Sequence, residues 1–403
     1  MPRVRPRWIA ITVFLFCSAL NYLDRQLLAA VAPSLKAEFH LNNQDYGKIV
    51  SVFSLLYATI APIAGWFIDR VGLNTGASIA VLAWSIAGAS TGLARSVRGV
   101  LASRTALGIA EAAGIPCFGK ANGIYLEPRE LALGTAFNQI GISLGLTAAP
   151  LIAAWMTPAY GWRSAFVLCG ALGFVWVPLW LWTAKKIPAH PEKVKKSTLP
   201  IRDILRDPRL WGLIVSTILM MSLYTLWTNW TTLYYAEQWK LTQQEANARF
   251  AWIPPVLGTF GGFAGGWMAF HWIRGGLDVL AARMRACWFF AVASLISTAA
   301  IPWMPGVHWA TAAVSISAFW SLGATTNLYA LPIDLFGPGR AALGVAALTS
   351  AYGLMQAPFS LAIGAMVDHA GFHAVFLSLC ALPLAGAAVL WMAVRKHLEV
   401  RRA

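Results

Sequence analysis

The sequence predicts an all-α membrane protein of twelve transmembrane helices in two six-helix, pseudo-symmetric halves. Three observations carry that expectation: apolar stretches near twenty residues long recur along the chain, basic residues concentrate on alternate loops, and one half repeats the other at a fixed offset. The composition agrees. Of 403 residues, 58% are hydrophobic and 12% charged, where soluble domains carry about 25% charged residues. A soluble protein this apolar would expose adhesive patches. A bilayer removes the objection, and it suits the 20 tryptophans, which favour the membrane interface.

An apolar helix of about 20 residues crosses the roughly 30 Å hydrocarbon core. Spans are expected at 8–32, 47–69, 75–94, 98–122, 131–156, 164–184, 209–236, 247–270, 280–302, 307–331, 341–367 and 372–395. They must be helices, because backbone groups in lipid have to bond within their own segment. Arg3, Arg5 and Arg7 before the first span resemble the start of a signal peptide. The apolar run continues to Ala32 without a small-x-small cleavage site, so it reads as a retained span.

Orientation follows from lysine and arginine in the loops. With both termini in the cytoplasm, 21 of the 31 basic residues lie inside. Seven lie outside (Lys36, Lys48, Arg95, Arg98, Arg163, Lys240 and Arg249), and Arg25, Arg104 and Lys120 lie within spans. This asymmetry accounts for the net charge of +15 without a nucleic-acid partner, for which no basic stripe exists outside the membrane. The long polar connection at 185–208 reads as a cytoplasmic linker between halves at 1–184 and 209–403.

The halves align at one register. Residues 126–139 match 336–349, so that Pro128 meets Pro338, Leu133 meets Leu343, Gly134 meets Gly344, Gly161 meets Gly371 and Phe166 meets Phe376. Parallel six-helix repeats of this kind place a substrate site near the bilayer midplane, between the halves.

Ionisable groups within a membrane are costly and are functional candidates by default. Two acids lie deep in spans, Asp24 in helix one and Glu111 in helix four, with Arg25 and Arg104 as basic companions. Asp24 sits about 12 Å from the outer end of its helix and Arg104 about 9 Å from the outer end of helix four. Glu111 lies two turns beyond Arg104 on the same face, so all four are expected along one polar seam. Their formal charges cancel. Protonating one carboxylate would free an arginine, and an organic anion could then replace the lost charge. The competing reading is that these pairs only fix helix packing.

Lys120 is either a cavity residue or a side chain that snorkels to the cytoplasmic interface. Tyr57, Tyr224, Trp227, Asn229, Trp230, Thr326, Asn327, Ser350, Tyr352, Gln356, Asn138 and Gln139 add aromatic and amide groups on the cavity helices. Such groups suit a polyhydroxylated ligand, and each is equally at home as interhelical glue. From this set, Arg25, Tyr57, Arg104, Lys120, Asn138, Trp227, Trp230, Asn327, Tyr352 and Gln356 are the candidate substrate-binding residues, with Asp24 and Glu111 as the proton-coupling pair. The five cysteines fall inside apolar segments without CxxC spacing, which indicates buried thiols rather than zinc or disulfides. The seven histidines lie near loops or helix ends without ligand spacing. Neither a metal nor a cofactor is expected.

Further motifs carry a resemblance. Residues 65–72 read Gly-Trp-Phe-Ile-Asp-Arg-Val-Gly, similar to the loop signature G-x-x-x-D-R-x-G of the major facilitator superfamily, although Leu73 and Asn74 stand where a basic residue usually follows. Asn21-Tyr22-Leu23-Asp24-Arg25 and the run from Arg104 through Glu111 to Pro116 resemble the anion:cation symporter family, and the stretch from Arg104 to Pro150, with Gly119-Lys120-Ala121, is closest to its hexuronate transporter branch. That family includes bacterial hexuronate and galactonate transporters, sialin and the vesicular glutamate transporters. Phe250-Ala251-Trp252-Ile253-Pro254 is closest to the hexuronate branch, while Asp24 is a galactonate-like feature.

The resemblance implies a proton-coupled symporter importing an organic anion such as a hexuronate or aldonate. It implies a monomer in a bacterial inner membrane, whose partners are the anion, protons and the bilayer. Arg25 would hold the substrate carboxylate, Asp24 and Glu111 would couple protons, Arg104 would be a charge partner and Tyr57 would line the cavity. An exporter is the alternative. Its helix-five motif G-x-x-x-G-P-x-x-G-G meets Gly145, but alanine stands at 149, 153 and 154. A transporter-like sensor or a membrane enzyme is a further alternative, for which no output domain or nucleophile–base set is present.

Overall fold

The expected spans appear as helices whose ends and interruptions follow from identifiable residues. A computed structural model describes residues 6–187 and 204–400; the linker expected at 185–208 lies largely outside them. The first span is α1 (Pro6–Ala30) continued by α2 (Ala32–Phe39), followed by α3 (Asn43–Val71) and α4 (Leu73–Leu93). The fourth span is α5 (Val97–Glu111) with α6 (Gly114–Tyr125), and α7 (Leu131–Tyr160) and α8 (Trp162–Lys186) complete the first six. In the second half, α9 (Pro208–Met220) and α10 (Ser222–Gln238) make one span, and α11 (Ile253–Arg274), α12 (Val279–Ala300) and α13 (Val307–Phe336) make three more. The last two are α14 (Pro338–Leu379), which is interrupted at Gly371, and α15 (Leu382–Val400). The architecture is the predicted one, with twelve spans.

Side chains at the helix starts accept otherwise orphaned backbone N–H groups. Asn42 accepts from the Asp45 N–H at 2.7 Å, Ser96 from Gly99 at 3.2 Å and Asp278 from Ala281 at 3.1 Å. Interruptions within spans trace to missing donors. Pro33 has no N–H for Ala29, and Pro116 has none for Ala112, so helix one breaks at Val31 and helix four breaks just after Glu111. The sequence reading had the fourth span continuous. The break instead leaves Glu111 as the last residue of α5, beside the non-helical pair Ala112–Ala113.

The repeat register holds in three dimensions. Gly161 and Gly371 both adopt the left-handed region, with φ of 77° and 74°, and mark the same turn into the sixth span of each half. Phe166 and Phe376, paired by the repeat, are both fully buried.

The chain divides into two compact units. One is Met1–Lys195 with Lys240–Trp252, the other Lys196–Trp239 with Ile253–Ala403. In the first unit, α1 packs on α7 through small residues. A Cβ on Gly141 would strike the Leu15 carbonyl, and one on Gly145 the Ala19 carbonyl. Gly145→Val should therefore destabilise the protein by about 1–3 kcal/mol or more through overpacking, read as a lower melting temperature in detergent. Ile142→Val, one turn away, should change little.

Candidate functional site

The centre of the first unit holds an arginine enclosed by rings. Arg25 lies with its guanidinium carbon 4.5 Å from the centre of Tyr57, 4.8 Å from Tyr22 and 4.9 Å from Phe53. Phe53 and Tyr57 are one turn apart on α3 and stacked, with centroids 5.9 Å apart. Gly108 on α5 makes this wall possible, since a Cβ there would meet the Phe53 carbonyl at 2.7 Å and the Tyr57 nitrogen at 3.3 Å. Three ring faces satisfy much of the cation's electrostatic demand, and the Tyr57 hydroxyl is hydrogen-bonded to it as well.

Among the described residues Arg25 has one anionic partner. Its Nε and Nη2 donate to Glu111 Oε2 at 3.4 and 3.3 Å, long for a charge-assisted bond, which normally runs about 2.7–2.9 Å. Glu111 is fully buried, and its Oε1 has no hydrogen-bond partner among the described residues. The pair is thus an ion pair at the long end of hydrogen-bonding distance.

Asp24 and Arg104 are buried as deeply as Glu111. Both are 1% exposed. Asp24 abuts Gly88 of α4, where a Cβ would stand 3.3 Å from its Oδ1. The Arg104 guanidinium lies 5.4 Å from the Phe166 ring centre, within electrostatic range of Asp24 and Glu111. Asp24 Oδ1 and Arg104 Nε and Nη2 have no hydrogen-bond partner among the described residues. The four groups lie within electrostatic range of one another: Arg25 pairs with Glu111 beside the rings, and Arg104 is coupled to Glu111, Asp24 and Arg25. Neighbouring residues on a helix point about 100° apart, so Asp24 lies against Gly88 while Arg25 lies among the rings.

The other candidates distribute unevenly. Lys120 Nζ donates to Asp69 Oδ1 and the Ile68 carbonyl, both at 3.1 Å, which ties it to the end of α3 and away from Arg25. Asn138 accepts from Ser18. In the second unit, Trp227 Nε1 donates to Ser317 Oγ at 3.1 Å, and Ser317 is also bonded to Thr298 at 2.7 Å. Tyr352 and Gln356 are hydrogen-bonded one turn apart, and Tyr352 faces Tyr224 at 6.0 Å. Trp230 is fully buried. Asn327 is committed to two carbonyls, those of Gly265 at 3.0 Å and Gly323 at 3.1 Å, where α11 and α13 touch. It acts there as interhelical glue.

Sequence reasoning passed over Tyr22 and Phe53. The signal was helical spacing: Tyr22 is three residues before Arg25, and Phe53 four before Tyr57, each on its partner's face. It also passed over the ion pair of Arg283 with Asp334, whose members lie on different helices with no local spacing to link them.

A two-repeat, twelve-span helical bundle with buried counter-charged pairs defines a membrane transporter, not an enzyme. The chain belongs to the Major Facilitator Superfamily, whose sequence profile matches residues 14–360. It is 28% identical over 408 residues to the hexuronate transporter of Escherichia coli (strain K12), covering 96% of this chain and 93% of that protein. It is 30% identical over 284 residues to the galacturonate transporter of Dickeya chrysanthemi, covering 65% of this chain and 81% of that one. Among solved structures, a bacterial homolog of the human lysosomal transporter Spinster, inward-facing and occupied, superposes with a TM-score of 0.82 at 18% identity, covering 98% of each chain. At that identity the likeness speaks for the fold alone.

Proposed function

We propose that this protein is a proton-coupled symporter that imports a sugar acid, a hexuronate or an aldonate, across a bacterial inner membrane with both termini in the cytoplasm. The observation that carries the reading is the loose Arg25–Glu111 pair inside a wall of rings. The relatives named for hexuronate and galacturonate point to the same substrate class.

The mechanism follows from charge balance. Leaving Arg25 without a counter-charge in a buried site costs about 3–5 kcal/mol. Protonation of Glu111 incurs that cost unless an anion arrives, and the substrate carboxylate supplies it. Proton and anion therefore favour each other's entry. Asp24 and Arg104, buried within electrostatic range of Glu111, keep the sum of fixed charges near zero and provide a second carboxylate for the proton. Within the first unit, Tyr57 beside Arg25 supplies an aromatic face for the hydroxylated body of the substrate.

The test is uptake into proteoliposomes under a gradient acidic on the substrate side. Labelled glucuronate, galacturonate and galactonate should accumulate, and a protonophore should reduce accumulation to equilibration. Undiminished accumulation after the gradient collapses would remove proton coupling. Failure of every sugar acid to compete would remove the substrate class.

A further inference from the structure

The first span is broken where a strap from elsewhere in the sequence can mend it. Val31, at φ −103° and ψ 8°, separates α1 from α2, and the Leu27 and Val31 carbonyls still accept from Val31 and Leu35 on either side. Between them lie the Ala30 carbonyl and the Ser34 N–H, which in an unbroken helix would bond to each other. Here the Ser34 N–H donates to Gln243 Oε1 at 2.9 Å, and Asn247 Nδ2 donates to the Ala30 carbonyl at 2.7 Å. One side-chain amide meets each half of the severed bond. The amide orientations follow from the chemistry, since a backbone N–H needs an oxygen and a carbonyl needs a donor.

Both amides belong to Lys240–Trp252, which is part of the first unit although the chain on either side belongs to the second. The strap is built for the task. Lys240 turns it with a left-handed φ of 55°. A capping box follows, in which the Thr242 N–H and hydroxyl donate to Glu245 at 3.1 and 2.8 Å and hold its carboxyl below the usual range. Residues Ala246–Ala251 then form a π-helix. Pro254 and Pro255 follow it and lack the N–H groups that would tie down the Phe250 and Ala251 carbonyls. Such wide turns are rare and recur at functional sites. Asn247 is 0% exposed, and Gln243 Nε2 also reaches Thr157 Oγ1 of α7 at 3.4 Å.

We propose that Gln243 and Asn247 are positioning residues of the transport cycle: a two-point clasp that holds the outer part of the first span in its broken form and lets go when the outer face opens. The clasp lies five and nine residues beyond Arg25 on the same span, so its release re-aims the helix that carries the site. The broken bond gives the span two discrete states, bonded to the strap or bonded to itself, as a switch requires. The proposal rests on the transport reading for its role but not for its detection.

Hydrogen–deuterium exchange of the full-length protein, without substrate, reads the clasp directly in a peptide covering residues 30–39. Gln243→Leu removes the acceptor and Asn247→Leu the donor. Each should speed exchange there roughly tenfold, about 1.4 kcal/mol. Gln243→Glu keeps an acceptor, with its charge at the start of a helix, and should stay within about twofold of the native rate. Uptake gives the second readout. The Leu variants should lower external KM together with Vmax, because more of the protein waits with its outer face open. Equal exchange in all four proteins would overturn the clasp, as would a Gln243→Glu variant as fast as Gln243→Leu. A fall in Vmax at unchanged KM would leave only a stability role and would overturn the positioning one. None of the exchange outcomes depends on which anion is carried, so failure of the sugar-acid reading is separately visible.

Discussion

Arg25→Lys should weaken sugar-acid binding by roughly 100-fold, about 2.7 kcal/mol, although the charge is kept. Arginine presents a planar fork that grips a carboxylate through two parallel hydrogen bonds and stacks on aromatic faces, while lysine is a strongly hydrated point charge on a flexible stem. The surroundings of Arg25 use both properties: Tyr22, Phe53 and Tyr57 lie against its guanidinium, and Glu111 engages it through two nitrogens. A lysine ammonium has no plane to stack between these rings. Substrate titration followed by tryptophan fluorescence checks the result, with thermal stability as the control for folding. Near-normal affinity in the lysine variant would demote Arg25 to a packing partner of Glu111.

Glu111→Gln should uncouple transport rather than abolish it. The amide mimics the protonated carboxyl in shape and neutrality, so Arg25 is permanently released to the substrate. Counterflow between equal pools should survive, while accumulation driven by a proton gradient should fall to the background of empty liposomes. The dependence of exchange on pH should flatten at the same time, because the group that titrates is gone. Normal active accumulation by the glutamine variant would move the coupling site elsewhere, with Asp24 as the next candidate. Asp24→Asn behaves differently on this reading. It removes one of the two buried carboxylates within range of Arg104, and should cost stability as well as coupling.

The span boundaries were legible because they rest on local properties. Hydrophobicity over twenty residues, prolines that delete donors and residues that cap helix starts act within a few turns of where they stand. Gly161 and Gly371 announced the repeat in sequence and then adopted the same left-handed turn. The candidate site was legible as a residue set, since charges in apolar helices stand out, but not as a geometry. Asp24 and Arg25 are adjacent in sequence and meet different neighbours, Gly88 and the three rings, and Asn327, a good ligand candidate by type, bonds two carbonyls at a helix crossing. Tyr22 and Phe53 are unremarkable in composition and gain meaning only from what lies beside them.

The sequence by itself determined that this chain spans a membrane twelve times, that its halves repeat, and that Asp24, Arg25, Arg104 and Glu111 are its costly residues. Each of these follows from the expense of polar groups in lipid, which depends on residue type and position along one helix. Tertiary structure alone decided that Arg25 meets Glu111 loosely among three rings, that Asp24 lies against Gly88, and that Gln243 and Asn247 mend a break more than 200 residues away. Those outcomes depend on how far each helix is rotated about its axis and on which small residues let two backbones approach. A rotation by one residue, about 100°, exchanges one set of neighbours for another, and no local pattern records it.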